Sequence, residues 1–388
     1  MNFNLVIVGA GPVGASLACA VHGLSVALVA QERPAGIRAR GEDAFDARVY
    51  AISPGNVAFL KAIGAWQAIP PERLAPVYTM RVFGDDGRSR IEFDAYRTGV
   101  PELAWIVEDD LLQEALWRAL EERDATRILT PAACEALEVA PERATLRLQD
   151  GRALAAKLVI GADGARSFVR AQARIAIDEQ PYGQTAVVAN FACEHAHENV
   201  AYQWFQGGPV LALLPLPGAH VSMVWSAPDA RASRLLELGP EALCREVESA
   251  TGYALGALER VTPPKAYPLR RLSARRLVAP RVALLGDAAH VIHPLAGQGA
   301  NLGLQDAREL AAVLAAREPL RDAGDLRLLR RYERARAEPL LSMRATVHGL
   351  YRLFDARGDW LGRLRNTGLN LAERVPVIKN VLIRRAMQ

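Results

Sequence analysis

The first eight residues, MNFNLVIV, close on a continuous apolar run, Leu5-Val6-Ile7-Val8, that stops at glycine. A short unbroken run of this kind reads as a strand buried on both faces. Two later segments repeat the pattern: Leu158-Val159-Ile160 ends at Gly161, and RVALL at 281–285 ends at Gly286. Behind the first run, GAGPVGASLACAV is glycine-rich and then helical, and LSVALVA at 24–30 supplies a second strand, which completes a β-α-β unit. Residues 176–274 are patterned differently. GQTAVVANFAC, VAYQWF, VLALLPL and HVSMVWSAP are short β-rich runs separated by turn residues, as in an antiparallel sheet. From about Ala300 through Leu314 the periodicity returns to that of a helix.

The turns after the three apolar strands hold the polar chemistry. In G-x-G-x-x-G, Gly9 permits a tight turn, Gly11 lets the backbone approach a pyrophosphate, and Gly14 lets the helix pack close to the strand. The helix N-terminus behind this turn offers N–H groups and partial positive charge to phosphates. A glycine-rich turn without a ligand is the bland alternative. An acidic residue is expected at the end of the second strand to accept from a ribose hydroxyl. Ala30 stands there instead, and Glu32, two residues on, is the candidate, with a solvated loop carboxylate as the alternative. In GADGARSFVR, Asp163-Gly164 fits a tight turn whose carboxylate meets a dinucleotide or caps the next helix.

The third turn, GDAAHVIHPLAGQGANLGLQDA at 286–307, spaces Asp287, His290 and His293 three residues apart. A metal site would need rigidity where Pro294 and the glycines break any helix, and no further ligand cluster accompanies it, so no metal is expected. As a cradle the stretch makes better sense. Asp287 would accept from polyol hydroxyls, Gly297 and Gly299 would bring backbone N–H groups to a flat ligand, and the helix N-terminus would favour negative charge developing on it. The two histidines then read as structural.

Composition narrows the class. At 388 residues and 51% hydrophobic the chain suits two lobes around large cores. The net charge of +4 is local: residues 351–388 hold eight Lys/Arg against three acids, and no clustered face suggests nucleic acid. Cys19, Cys134, Cys193 and Cys244 are scattered without metal spacing, as reduced buried thiols in a cytoplasmic protein. The N-terminus lacks the basic flank of a signal peptide, and no apolar run approaches the roughly 20 residues of a membrane span.

Taken in order, GAGPVG, GADGARSFVR and GDAAHVIHPLAGQGANLGLQDA resemble the three fingerprints of the class A flavoprotein monooxygenases. DARVYAISPGNVAFLKAIGAW at 46–66, LAWIVEDDLLQEAL at 103–116 and GGPVLALLPLPGAHVSMVW at 207–225 are similar, more narrowly, to the ubiquinone-biosynthesis hydroxylase family. The resemblance implies an α/β fold: a Rossmann-like FAD-binding domain (1–75, 100–175 and 275–338), an antiparallel β-sheet substrate domain inserted in it (76–99 and 176–274), and a basic helical C-terminal segment (339–388). It implies FAD as cofactor, NAD(P)H or a reductase partner as electron donor, and a polyprenylated phenol and O2 as substrates. Oxygen transfer would proceed through a flavin C4a-hydroperoxide, and no Ser/His/Asp triad is needed.

By the same resemblance, Gly9, Gly11, Pro12 and Gly14 would meet the pyrophosphate, and Arg48 would contact FAD or the reacting centre. Gln113 would lie near the ribose or phosphates, with Asp163 and Gly164 at the motif shared by FAD and NAD(P)H. Asp287 would hold the ribityl chain, while Pro294, Gly297, Gln298, Gly299, Ala300 and Asn301 would wrap the isoalloxazine. Two departures stand out. Ala30 replaces the usual carboxylate, and Glu108-Asp109-Asp110 replaces an Asn and a basic residue.

Trp204, Phe205, Leu213, Leu214 and Trp225 are candidates to line the substrate pocket, with simple sheet core as the alternative for each. The tail mixes Leu, Val, Ile and Trp360 with arginines, which suits either an anionic membrane surface or a biosynthetic complex, and equally helices packed on the FAD lobe. Two other functions stay open: a same-fold flavoprotein acting on a soluble aromatic or another lipid, and a non-catalytic FAD-binding scaffold.

Overall fold

The structure is a computed structural model and describes residues 1–34, 44–86, 89–293 and 298–355. Pro294, Gly297 and the tail from residue 356 lie outside the described residues. The strand Asn2–Val8 sits at the centre of a parallel sheet, between Val26–Val29 and Ala153–Gly161, with Thr126–Leu129 and Val282–Leu284 beyond them. Leu5, Val6, Ile7, Leu28, Leu158 and Ile160 are fully buried, so both faces of these strands are covered, and this is why they read as unbroken apolar runs. Register does the rest. Val8 lies opposite Gly161 and Val29, and Gly161 opposite Leu284, so the three glycine turns leave neighbouring strand ends on one edge.

The strand Ala153–Gly161 also closes an antiparallel meander with Cys134–Val139 and Ala144–Leu148. A three-stranded sheet, Val49–Ile52, Ala104–Glu108 and Ala75–Val77, lies between this lobe and a second large sheet.

That second sheet has nine strands. Its spatial order is His290–Val291, Lys265–Ala274, Ile177–Cys193, His220–Pro228, Val210–Leu216, Val200–Phe205, Thr79–Phe83 and Arg90–Asp94, with Leu258–Arg260 also paired to Ile177–Cys193. All neighbours run antiparallel except Val200–Phe205 beside Thr79–Phe83. The helices Asp229–Glu237 and Pro240–Thr251 cover one face, burying Ala232, Leu235, Leu243 and Val247 against Phe191, Met223 and Trp225. The other face meets the three-stranded sheet.

Two long helices close the molecule, Gln298–Ala315 and Leu326–Asp355. The first packs on helix Pro12–Ala20 so closely that a Cβ on Gly303 would lie 2.5 Å from the Val13 side chain. The second ties back to the parallel sheet through the Tyr332 hydroxyl, which donates to the Leu284 carbonyl at 2.9 Å. No helix among the described residues is long and apolar enough to cross a membrane.

Candidate active site

The first glycine turn divides its labour. Gly9 has φ +103°, and a Cβ there would lie 2.2 Å from the Ala162 carbonyl oxygen; a Cβ on Gly14 would lie 1.9 Å from the Gly9 oxygen. Both are packing requirements. Gly11 has an extended conformation, and a Cβ there would meet nothing within 4 Å, so the backbone faces open space. Helix Pro12–Ala20 begins behind it with Pro12 in its first turn and no side chain capping its N-terminus. First-turn N–H groups therefore face the clearing above Gly11, a geometry suited to a pyrophosphate. The Trp117 indole, from helix Asp109–Glu121, donates to the Ala10 carbonyl at 3.1 Å and holds the turn from behind.

A cleft runs from this turn past Arg48 and Asp287. The Arg48 guanidinium lies over the Tyr50 and Tyr267 rings, at 5.2 and 5.5 Å, and 3.5 Å from the Asp109 carboxylate. Burial opposes its charge, but Tyr50, Asp109, Tyr267 and Asp287 more than offset that and hold it above its ordinary value. Burial likewise pushes the Asp287 carboxyl up, against the pull of His290, Arg48 and Arg270. Yet the Arg48 side chain is 46% exposed and Asp287 is exposed. Groups that water can touch while protein surrounds them on most sides line a concavity. Such a concavity, with a cation and an acceptor in it and a bare glycine turn near by, fits a dinucleotide.

Neighbouring residues fix Arg48. Gln113 donates to Asp109 at 2.8 Å, orienting the carboxylate that faces the arginine. Glu108, 1% exposed, accepts from Arg73 and from the Asp46 amide at 2.6 Å, and the Asn190 amide donates to the Asp46 carbonyl at 2.7 Å. The acidic Glu108-Asp109 pair thus anchors the segment bearing Arg48. Glu32 is exposed beyond the second strand, while its neighbour Arg33 pairs with Glu121 at 2.7 Å and lies over Trp117.

In the second turn both Asp163 oxygens are engaged by the protein, accepting from the Ser167 hydroxyl at 2.5 Å and the Val169 amide at 3.1 Å. Its carboxylate thus braces the start of helix Phe168–Gln172. Gly164, at φ +78°, has open space beside it. Arg170, 7% exposed, links this turn to the third by donating to the Ala288 and Ala165 carbonyls.

Asp306 organises the third turn. Fully buried, it accepts from the Gly286 amide at 2.9 Å, His290 at 2.6 Å and Arg336 at 2.6 Å. Burial alone would raise its pKa; His290, Arg336 and the amide outweigh that and hold it below the ordinary carboxylate value. Sequence reasoning missed Asp306 and Arg336, because an Asp in mid-helix and an Arg in a basic helix look solvated. Asn301, 1% exposed, spends its side chain on Ser53, Asn56 and Ala51, tying the strand after Arg48 to the long helix. Gly299 and Ala300 are half-buried in the first turn of that helix, and a Cβ on Gly299 would meet nothing. His293 hydrogen-bonds Gln184 at 3.1 Å, and burial lowers its pKa to about 4, so the ring is neutral near pH 7.

Alternation along the nine-stranded sheet separates the five lining candidates. Trp225 and Leu213 are buried in the helix-covered core, and Trp204 stacks beside them between Phe83 and Tyr202. These three face away from the cleft. Phe205 and Leu214 lie on the other face, Phe205 with Val210, Ile292 and Met343, and Leu214 with Phe45 and Ala51.

The family profile described as FAD binding domain matches residues 2–343. The chain is 36% identical over 387 residues to ubiquinone hydroxylase UbiL of Rhodospirillum rubrum, covering 99% of this chain and 89% of that one. It is 35% identical to 3-demethoxyubiquinol 3-hydroxylase of Escherichia coli, covering 99% and 98%. Among solved structures, PqsL of Pseudomonas aeruginosa superposes with a TM-score of 0.79 at 24% identity, covering 95% and 100%, a likeness of fold alone.

Proposed function

The chain belongs to the FAD-dependent monooxygenases of ubiquinone biosynthesis, and from that premise we propose that it hydroxylates the aromatic ring of a polyprenyl-phenol intermediate of that pathway. The observation that carries this reading is the set of three glycine turns on adjacent strand ends, with Phe205, Val210 and Leu214 of the nine-stranded sheet on the face opposite its covering helices. FAD held by these residues would supply the redox chemistry of the hydroxylation, with NAD(P)H or a reductase partner as electron donor, one oxygen atom of O2 entering the ring and the other leaving as water.

The chain's own residues bind, orient and shield. The clearing at Gly11 and the N–H groups of the following helix take the pyrophosphate, while Asp287 accepts from the ribityl hydroxyls. Arg48, clamped by Tyr50, Tyr267 and Asp109, sets a fixed positive charge beside the cofactor. Backbone N–H groups near Gly299 and Ala300 would be the ones to meet the flat ring system. Asp163, Gln113 and Asn301 act as positioning residues, since their polar atoms are bonded to protein. The apolar sheet face would receive the aromatic ring and exclude water from it. Functionally the chain divides into the FAD lobe, the sheet of residues 76–99 and 176–274, and a C-terminal segment that docks on an anionic membrane surface, where a polyprenyl substrate resides.

The test is the quinone-lipid profile of a strain lacking the gene. Expected are loss of ubiquinone and accumulation of an intermediate one hydroxyl short, restored by the wild-type chain and not by Gly11→Asp. A normal profile would overturn the pathway assignment, and rescue by the flavin-free variant would turn the reading to a scaffold. Removing residues 356–388 should release the protein from sedimented membranes; unchanged partitioning would count against the docking role.

A further inference from the structure

On the outer flank of the parallel sheet, away from the flavin cleft, the edge strand Val278–Ala279 borders a cavity of about 640 Å³. It shares no lining residue with the cleft. Its floor is apolar, from Ile175, Val278 and Leu326, while four arginines and one glutamate stand around it. One of the arginines is paired, and the glutamate is held in place by a backbone amide while keeping its charge. Arg275 pairs with Asp178 at 3.1 Å, and Glu333 accepts from the Leu277 amide at 2.8 Å. Arg174, Arg276 and Arg330 have no ion-pair partner among the described residues.

Each of the three comes from a different element. Arg174 follows helix Phe168–Gln172 and is held at φ +53°, a left-handed conformation that non-glycine residues rarely adopt. Arg276 precedes the edge strand, and Arg330 lies one turn along helix Leu326–Asp355 from Leu326, on the same face. All three side chains are exposed at the rim of one concavity, and with Glu333 as the single acid beside them they leave an excess of positive charge that an anion would offset. Their planar donor forks match phosphate oxygens, and the apolar floor matches a carbon portion attached to that phosphate.

We infer that this cavity binds a phosphate-bearing ligand, with Arg174, Arg276 and Arg330 on the phosphate oxygens. The phosphate could belong to a soluble phosphate compound or to a phospholipid headgroup, and the experiment separates these sources. Full-length protein saturated with FAD, so that the flavin site is closed to competing anions, is titrated calorimetrically with inorganic pyrophosphate. In parallel it is co-sedimented with phosphatidylcholine vesicles, with and without an equal part of phosphatidylglycerol. The wild type is compared with Arg276→Glu/Arg330→Glu and with Arg327→Glu, an exposed arginine on the same helix outside the cavity. An Arg276→Gln/Arg330→Gln pair serves if the charge reversal lowers the melting temperature.

A soluble ligand predicts pyrophosphate binding that weakens at least tenfold, about 1.4 kcal/mol, in the double variant and is unchanged in Arg327→Glu. A headgroup predicts the same pattern for the anionic vesicles alone; the tail is common to all variants and cancels. The inference is overturned if neither probe distinguishes the double variant from wild type, or if Arg327→Glu loses as much as the double variant does.

Discussion

The parallel-sheet lobe and the nine-stranded sheet face each other across the cleft but are built on opposite plans. In the lobe, strands are apolar on both faces, and the polar groups are confined to short turns at adjacent strand ends. In the nine-stranded sheet no turn matters as much; what counts is a whole face, one side buried under two helices and the other turned to the three-stranded sheet and the FAD lobe. A function concentrated in turns tolerates no change in a few glycines. One spread over a face is tuned by many side chains, each with a modest effect.

Replacing glycines should test the first plan most severely. Gly14→Ala puts a methyl group against the Gly9 carbonyl, with no side chain free to yield, and should cost more than about 4 kcal/mol of stability. Gly11→Ala meets only open space and should stay within about 0.5 kcal/mol of wild type while losing bound flavin. Thermal melts and flavin absorbance after gel filtration check both; equal melting temperatures would refute this division of labour.

Asp306→Asn leaves Arg336 buried without its counter-charge and should cost about 3–5 kcal/mol. Because the Asp306 pKa is lowered on folding, its contribution is present above the unfolded carboxylate value and is lost as pH falls through the folded one. The variant should therefore flatten stability at the acid end, as urea melts across pH would reveal.

On the sheet, two adjacent leucines give the sharpest contrast. Leu213→Ala opens the helix-covered core and should cost about 2–5 kcal/mol while leaving turnover per FAD-loaded molecule unchanged. Leu214→Ala, on the other face, should cost less stability, raise KM and divert reducing equivalents to hydrogen peroxide. Steady-state assays with a peroxide readout decide whether the faces are assigned correctly.

Smaller effects come from the borders. His293 has its pKa lowered to about 4, so the unfolded chain takes up a proton before the folded one does. Stability should decline as pH falls from about 6.5 to about 4, by on the order of 3 kcal/mol, and His293→Gln should remove that slope. Least of all, Glu32→Gln should shift FAD affinity by less than about 0.5 kcal/mol, because the carboxylate is exposed. A larger loss in a fluorescence titration would make Glu32 a true ribose partner.

Much of the lobe was legible because its information is local. Three apolar runs ending in glycine identify three strands, and a parallel register puts their ends side by side. The supporting network was not legible. Asp306, His290 and Arg336 are separated by up to 46 residues of chain and meet only because helix Leu326–Asp355 packs on helix Gln298–Ala315. The acidic Glu108-Asp109 pair looked like a defect in a motif until Arg73 and Arg48 were seen to face it.

By itself the sequence determined the fold class and the positions of the glycine turns, because backbone freedom and strand burial are written in residue type and spacing, while the flavin-dependent chemistry followed from the resemblance of its three motifs to a known family. Only the tertiary structure decided which face of the strands at 200–228 looks into the cleft. Alternation shows that Trp204 and Phe205, or Leu213 and Leu214, point opposite ways, but both faces are apolar. The face becomes inner or outer only when helices Asp229–Glu237 and Pro240–Thr251 cover one side, and that choice lies in long-range packing, not in any local pattern.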